Sequence, residues 1–144
     1  MPHRAPVVLV WQAKKVLGAP NCLIEDGFLK PGEKIQNESW RLEMQKDGNL
    51  VLYGPGQGHY GNHAHWALQD VFPNGMCEDA WKSPGSFAKL CPDGSLQVFA
   101  KNEDLRFSTP AINGERGPFT AILMDNGHVD IVNETGRWPL IRGW

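Results

Sequence analysis

The sequence predicts an all-β domain made of three related antiparallel sheets. Three observations support this prediction: the composition favours turns, one hairpin pattern occurs three times, and no convincing helix is present. The 144 residues include 16 glycines and 11 prolines, more than an average globular protein contains, and many turns in a short chain imply many short strands. A chain of this length is enough for one domain with its own core.

The repeated pattern is an Asp-Gly or Asn-Gly pair between two stretches of alternating apolar residues. The three copies are residues 40–53, 88–99 and 121–132. Such a pair is a strong hairpin signal, because the tight turn needs positive φ angles that these residues tolerate. Apolar residues occupy the equivalent inward positions of each copy, as a buried strand face requires. These positions are Met44, Leu50 and Leu52 in the first copy, Leu90, Leu96 and Val98 in the second, and Leu123, Val129 and Ile131 in the third.

These copies predict a single domain, residues 1–144, with three repeats. The expected repeats lie near 21–66, 81–109 and 117–144, and an additional strand is expected at 6–12. An insertion around 54–58 makes the first repeat longer than the second. One aromatic residue follows the second strand of each repeat and is expected to anchor the core; these are Trp66, Phe107 and Trp138.

The charge and the apolar segments exclude several classes of partner. A net charge of −2 gives no attraction for nucleic acid or an anionic membrane, and no segment approaches the ~18 apolar residues that span a bilayer. The apolar run 7–11 is too short for a signal peptide core and is followed by two lysines. No signal peptide is visible, so a cytoplasmic or unconventionally secreted protein is expected.

The cysteines do not indicate a metal site. Cys22, Cys77 and Cys91 are an odd number and lack the spacing of metal ligands. One disulfide is compatible with the sequence but not required by it, and no cofactor is expected.

A polar pattern on the first hairpin points to sugar binding. It consists of Gln45, Asp47, Asn49, Val51 and Tyr53. Sugar hydroxyls both donate and accept hydrogen bonds, so a site needs acceptors and donors together. A carboxylate, two amides and a phenol supply them, and the valine offers an apolar patch for the C–H face of a sugar. On the hairpin, the glutamine ends one strand, the aspartate and asparagine lie at the turn, and the last two residues share the outward face.

The pattern Gln-x-Asp-x-Asn-x-Val-x-Tyr resembles, without departure, the sugar-binding signature of the bulb-type (monocot, snowdrop-like) mannose-binding lectin family. Residues 21–33 also resemble the opening segment of that family, and the likeness covers roughly residues 20–144. The resemblance implies a β-prism II fold with three four-stranded antiparallel sheets and pseudo-threefold symmetry. It also implies a lectin, not an enzyme, that binds mannose or mannosylated glycans without a metal.

The resemblance further implies roles for four of the five residues. Asp47 and Asn49 would hold the axial 2-hydroxyl that distinguishes mannose from glucose, Gln45 the 3-hydroxyl and Tyr53 the 4-hydroxyl. One departure concerns Gly48, which stands where many plant relatives have a cysteine that forms a disulfide. That bridge cannot form here, so the chain is more similar to the fungal, animal or bacterial branches.

The second and third repeats are expected to have kept the fold and lost the site. The equivalent positions are Cys91, Asp93, Ser95, Gln97 and Phe99 in the second repeat and Met124, Asn126, His128, Asp130 and Val132 in the third. Only Asp93 is identical to the residue of the first repeat. Asp93→Ala should therefore leave mannose binding nearly intact.

Several residues leave alternatives open. Asp47 could be only a turn residue, with Asn49 and Tyr53 as ordinary strand residues. The segment with His59, His63 and His65 is best explained as a polar surface loop, although two alternating histidines could bind a metal or extend the sugar site. Three other tryptophans could stack on a sugar, but a core role is favoured for such residues in a small domain; these are Trp40, Trp81 and Trp144.

The functional hypotheses therefore have an order. A lectin is first, and a protein-interaction or defence (toxin-like) module on a lectin scaffold with a vestigial site is the alternative. A glycosidase is disfavoured, because it needs two carboxylates flanking one bond and Asp47 has no evident partner. One shallow site should bind a monosaccharide with a Kd on the order of millimolar, so a homo-oligomer is expected to supply avidity.

Overall fold

The computed structural model describes residues 21–71 and 81–142. Within these ranges the chain forms twelve strands and one turn of helix. The strands are β1 (Cys22–Ile24), β2 (Phe28–Leu29), β3 (Lys34–Asn37), β4 (Trp40–Met44), β5 (Leu50–Gly56), β6 (His59–Ala67), β7 (Phe87–Leu90), β8 (Leu96–Phe99), β9 (Leu105–Ser108), β10 (Thr120–Leu123), β11 (Val129–Val132) and β12 (Arg137–Ile141). The helix, α1 (Leu68–Val71), follows β6. The all-β prediction is confirmed, while the strand expected at 6–12, Cys77 and Trp144 lie outside the described residues.

The described strands form three four-stranded antiparallel sheets. The first-repeat sheet has the order β3-β4-β5-β6, the second-repeat sheet β2-β7-β8-β9, and the third-repeat sheet β1-β10-β11-β12. The early strands β1 and β2 pair with β10 and β7, so the segment before the first hairpin completes the sheets of the other two repeats. This exchange of edge strands ties the three sheets into one structure.

The three predicted hairpins are present and share one turn geometry. In the first hairpin, the backbone N–H of Gln45 donates to the carbonyl of Asn49 at 2.8 Å, and that of Gly48 donates to the carbonyl of Gln45 at 3.1 Å. The equivalent bonds recur in the other two turns at 2.8–3.0 Å. Each turn is therefore a three-residue loop, in which the glycine alone takes a positive φ (98°, 85° and 88°). The aspartate or asparagine before it needs no left-handed conformation.

The core is formed by the inward faces of the three sheets. All nine inward positions predicted from the repeats have exposed fractions of 0–1%. The aromatic anchors Trp66, Phe107 and Trp138 are partly buried and pack against this core. The hydrophobic periodicity therefore identified these core positions correctly, although Val51, Ile122 and Asp130 on the opposite faces are also buried.

Trp40 is partly buried and lies between the first and third repeats. Its indole packs against the core and lies so close to Gly54 and Gly127 that a Cβ on either glycine would overlap the ring. The ring fills the space between a strand of the first-repeat sheet and the turn of the third repeat. The core role favoured for this tryptophan by the sequence is what the structure shows.

The described residues include no helix with the length and apolar character needed to cross a membrane.

Candidate functional site

The predicted site lies on the outer face of the first-repeat sheet and at its hairpin turn. Arg41 pairs with Tyr53, and Glu43 pairs with Val51, and directly opposed residues project to the same side of a sheet. The core residues Leu42 and Leu52 lie between them on the opposite side. The outer face therefore carries the second half of the sugar pattern.

Gln45 and Tyr53 are brought into direct contact across the hairpin. Nε2 of Gln45 donates a hydrogen bond to Oη of Tyr53. The guanidinium of Arg41 lies 4.3 Å from the centre of the tyrosine ring and donates to the Glu43 carboxylate at 3.1 Å. A chain of polar contacts thus fixes the tyrosine and the glutamine in place on this face.

Asp47 lies exposed at the tip of the three-residue loop. Its Oδ1 accepts the backbone N–H of Asn49 at 2.9 Å, as Asp93 does from Ser95 and Asn126 from His128 in the other turns. One carboxylate oxygen therefore stabilises the turn. Within the described chain, Oδ2 receives no hydrogen bond and is available to a ligand.

Asn49 is buried and bonded to a residue that no motif indicated. Its exposed fraction is 4%. Its Nδ2 donates to Oε1 of Gln69 at 2.9 Å, and its Oδ1 accepts the backbone N–H of Gln69 at 3.1 Å. Gln69 belongs to α1, so the helical turn after β6 holds this amide in one orientation.

Val51 lies beneath the outer surface. Its exposed fraction is 2%, and it pairs with Ala67 of β6. Among the five predicted residues, Gln45, Asp47 and Tyr53 therefore present accessible surface, whereas Asn49 and Val51 form the floor behind them.

Ser83 and Arg106, which lie outside the first-repeat sheet, support the loop of the first hairpin. The backbone N–H of Ser83 donates to the carbonyl of Asp47 at 3.0 Å, and the guanidinium of Arg106 donates to the carbonyl of Gly48 at 3.2 Å and to that of Trp81. A Cβ at Gly48 would lie 2.6 Å from the backbone of Ser83. The close approach of another chain segment, together with the positive φ, requires glycine here.

Arg41, Gln69 and Arg106 contact the candidate site and were not predicted from the sequence. Arg41 could have been found, because strand alternation from Gln45 puts residues 43 and 41 on the same face. Gln69 and Arg106 could not have been found from a local sequence pattern, because each contacts the hairpin from a position distant in the sequence.

The equivalent face of the second repeat has a different chemistry. Asp93 accepts from both the hydroxyl and the backbone N–H of Ser95, at 2.6 and 2.9 Å. The hydroxyl bond and then the backbone bond lower the pKa of this carboxyl below its ordinary value. The Phe99 ring stacks on Phe87 with centroids 5.4 Å apart, where the first repeat has its tyrosine hydroxyl.

In the third repeat, the ion-paired side chain of Asp130 stands where the first repeat has Val51. Asp130 has a side chain only 5% exposed, and its oxygens lie 2.6 Å from Arg142 and 3.6 Å from Arg137. Asn126 caps the turn. This position therefore carries a paired charge instead of an apolar side chain.

The histidine segment is a strand rather than the polar surface loop that the sequence predicted. It forms β6, which pairs with β5 along a lengthened hairpin whose register shifts between Leu52 and Tyr53 and between Gly54 and Gly56. His63 and His65 contact each other with ring centres 4.7 Å apart, and Nε2 of His65 lies 2.6 Å from the carbonyl of Pro55. No group of three or more His, Cys, Asp or Glu side chains in the described ranges is arranged to hold a metal.

The described cysteines are not linked to each other. Cys22 and Cys91 form no disulfide together. Burial, and then the negative charge of Asp93, raise the pKa of the Cys91 thiol.

Comparison with solved structures relates this architecture to lectins of monocot plants. A lectin from Allium sativum superimposes with a TM-score of 0.61 at 26% identity, covering 78% of this chain and 93% of the lectin. The mannose-specific agglutinin from snowdrop (Galanthus nivalis) bulbs gives 0.61 at 26% identity, covering 82% and 93%. A monocot mannose-binding lectin from Gastrodia elata gives 0.62 at 22%, covering 83% and 94%.

The chain has the fold of the bulb-type mannose-binding lectins. No family model and no curated protein sequence matches the chain, so the likeness rests on the structures. The β-prism II prediction is confirmed by the three four-stranded sheets. The solved structures that match this chain are lectins, which are not enzymes. This supports the expectation that the chain is not an enzyme.

Some of these bulb-type lectins were solved with sugars. The snowdrop agglutinin was complexed with methyl α-D-mannoside, and a tarin lectin was bound to trimannose. The Gastrodia lectins are described as monomeric.

Proposed function

We propose that this chain is a lectin that binds mannose, or glycans that contain mannose, through Gln45, Asp47, Asn49, Val51 and Tyr53 and without a metal. The observation that carries the proposal is the hydrogen-bonded pair of Gln45 and Tyr53 on the same hairpin as the exposed carboxylate of Asp47. This arrangement combines an amide, a phenol and a carboxylate on one face of a bulb-type lectin fold.

The free hydrogen-bonding capacity of these groups matches a hexose. Because Tyr53 accepts from Gln45, its own hydroxyl hydrogen is left to donate to a sugar oxygen, and Oε1 of Gln45 is left to accept. Oδ2 of Asp47 accepts from a sugar hydroxyl while Oδ1 caps the turn. The second N–H of the Asn49 amide completes the set, since Gln69 uses only one.

The choice of mannose rests on the resemblance of these five residues to the bulb-type signature. By that resemblance, Asp47 and Asn49 would bind the axial 2-hydroxyl, while Gln45 and Tyr53 would bind the 3- and 4-hydroxyls. Val51 forms the floor of the site through packing. Each of these contacts is a direct hydrogen bond or an apolar contact, so the binding needs no metal ion.

A glycan array on the wild-type protein tests this function. We expect selective binding to glycans with terminal mannose, and the same pattern after EDTA treatment. An array on which no mannose-containing glycan binds would contradict the proposal, and loss of binding in EDTA would contradict its metal independence.

We also propose that the protein acts as a homo-oligomer. A few hydrogen bonds exchanged with water yield a monosaccharide Kd on the order of millimolar, and several linked sites raise the avidity for a multivalent glycan. Sedimentation as a monomer only, at micromolar concentration, would contradict this part of the proposal.

The alternative function, a protein-interaction module, is favoured by one feature of the second-repeat sheet. Phe28, Phe87 and Phe99 line an outward-facing recess of about 470 Å³, and Phe28 is 47% exposed. Exposed aromatic clusters are common at protein interfaces. A protein that binds no glycan and loses a defined protein partner on Phe28→Ser would favour this alternative.

A further inference from the structure

A second polar recess lies beside the proposed mannose site. Its volume is about 200 Å³, and its lining includes Gln36, Arg41, Tyr60 and Asn62. Gln36 pairs with Arg41, which in turn pairs with Tyr53. The three residues therefore form a row across β3, β4 and β5 on one outer face, with the mannose site at one end and the recess at the other.

Arg41 forms the wall shared by the two sites. Its guanidinium lies over the Tyr53 ring at 4.3 Å, and it donates to the Glu43 carboxylate at 3.1 Å and to the Gly61 carbonyl at 2.8 Å. These contacts hold the side chain in one position. Two bonds use only part of its five N–H donors, so others are available to a ligand that crosses the wall.

The chemistry of the recess suits sugar hydroxyls. Gln36 and Asn62 are exposed, and their amides both donate and accept hydrogen bonds. Glu38 adds a carboxylate acceptor to the lining. Tyr60, on the same lining, is 95% exposed and offers an aromatic face to the C–H groups of a pyranose.

This recess is specific to the first repeat. Tyr60 and Asn62 lie on the lengthened hairpin of β5 and β6, which have seven and nine residues. The corresponding strands β8 and β9 of the second repeat have four residues each, and β11 and β12 of the third have four and five. The extra length of the hairpin builds the far side of the recess.

We infer that the recess is a second sugar subsite, so that the preferred ligand is a mannose-containing oligosaccharide that spans Arg41 rather than a single mannose. The inference rests on the proposed function, because the first sugar is held by the mannose site. One residue of the glycan occupies that site, and its neighbour contacts Gln36, Tyr60 and Asn62.

Calorimetric titrations with methyl α-D-mannoside and with α-1,2-, α-1,3- and α-1,6-linked mannobiosides test the inference. For the wild type, at least one mannobioside is expected to bind about 3- to 10-fold more tightly than the monosaccharide, which is the gain from one or two net hydrogen bonds. Tyr60→Ala and Asn62→Ala should lose this gain and bind the monosaccharide as the wild type does. Gln57→Ala, on the same hairpin but outside the lining, is the matched control and should keep the gain.

The outcomes separate the inference from the function beneath it. If methyl α-D-mannoside binds and no mannobioside binds more tightly, or if the gain survives both variants, the second subsite is refuted and the mannose site stands. If neither the monosaccharide nor any mannobioside binds, the proposed function fails and the subsite fails with it.

Discussion

Asn49 and Gln69 hold each other through two hydrogen bonds, although twenty residues separate them in the chain. The asparagine amide donates to the glutamine side chain at 2.9 Å and accepts from the glutamine backbone at 3.1 Å. A polar group at 4% exposure needs such partners. The pair anchors α1 to the first hairpin and sets the direction in which the asparagine faces the proposed ligand.

Gln69→Ala should therefore weaken both stability and binding. Loss of the side-chain bond leaves the Asn49 amide partly unsatisfied, and the free energy of unfolding should fall by about 1 kcal/mol. The Kd for methyl α-D-mannoside should rise several-fold, because the amide is no longer oriented. Urea denaturation and calorimetry measure the two effects. Asp70→Ala, one residue further along α1, is the control, and equal effects of the two substitutions would refute this role.

Substitutions of Asp47 should separate its structural role from its role in sugar binding. Asn126 caps the third turn with a neutral amide, so Asp47→Asn should keep the turn and the stability while losing most of the mannose affinity. Asp47→Ala should lose the affinity and also about 1 kcal/mol of stability, because Oδ1 no longer accepts the backbone N–H of Asn49. Thermal denaturation with a mannose-binding assay distinguishes the two. Undiminished affinity in Asp47→Asn would show that the aspartate is only a turn residue.

The stability contribution of Asp93 should depend on pH. The Ser95 bonds lower the pKa of this carboxyl in the folded state, so its contribution is present above the ordinary pKa and is lost as the pH falls through the lowered folded value. Ser95→Ala removes the hydroxyl bond and should move the Asp93 titration midpoint upward in carboxyl NMR. The stability difference between Ser95→Ala and the wild type should narrow in acid, while an unchanged midpoint would contradict the assignment.

Gly127→Ala should be more destabilising than Gly114→Ala. Both glycines have positive φ, 88° and 81°, so both substitutions carry the same backbone strain. A Cβ at Gly127 would lie 2.6 Å from the Trp40 ring, whereas a Cβ at Gly114 meets nothing within 4 Å. The additional loss should be about 1–3 kcal/mol by urea denaturation, as overpacking usually costs. Similar losses of stability in the two variants would show that the Trp40 ring moves to accommodate the added methyl group.

The sequence predicted the repeated parts of this molecule well and the contacts between them poorly. Residues such as Leu52, Val98 and Ile131 were identifiable as core because strand alternation is local. The edge strands β1 and β2 could not be assigned to the other repeats, since pairing between distant segments depends on the whole fold. The three turns are three-residue loops rather than the tight turns expected from the Asp-Gly and Asn-Gly pairs. In each loop only the glycine has a positive φ.

The proposed site shows the same division. The five residues are recognisable as a pattern, and strand alternation correctly put Tyr53 on the outer face. The burial of Asn49 and Val51 could not be read from the pattern, because it comes from β6 and α1. The insertion that lengthens the β5–β6 hairpin was recognised from the sequence. That the inserted residues pair as strands was not, because the pairing is formed with Tyr53 and its neighbours on β5.

Backbone NMR during titration with methyl α-D-mannoside shows directly whether the first hairpin binds mannose. The amide signals of Gln45, Asp47, Asn49 and Tyr53 are expected to shift together with a Kd on the order of millimolar. Those of 91–99 and 124–132 should stay in place, and methyl α-D-glucoside should have a weaker effect. Unshifted signals in the first hairpin at saturating mannoside, or shifts confined to the other two repeats, would contradict the proposed mannose site.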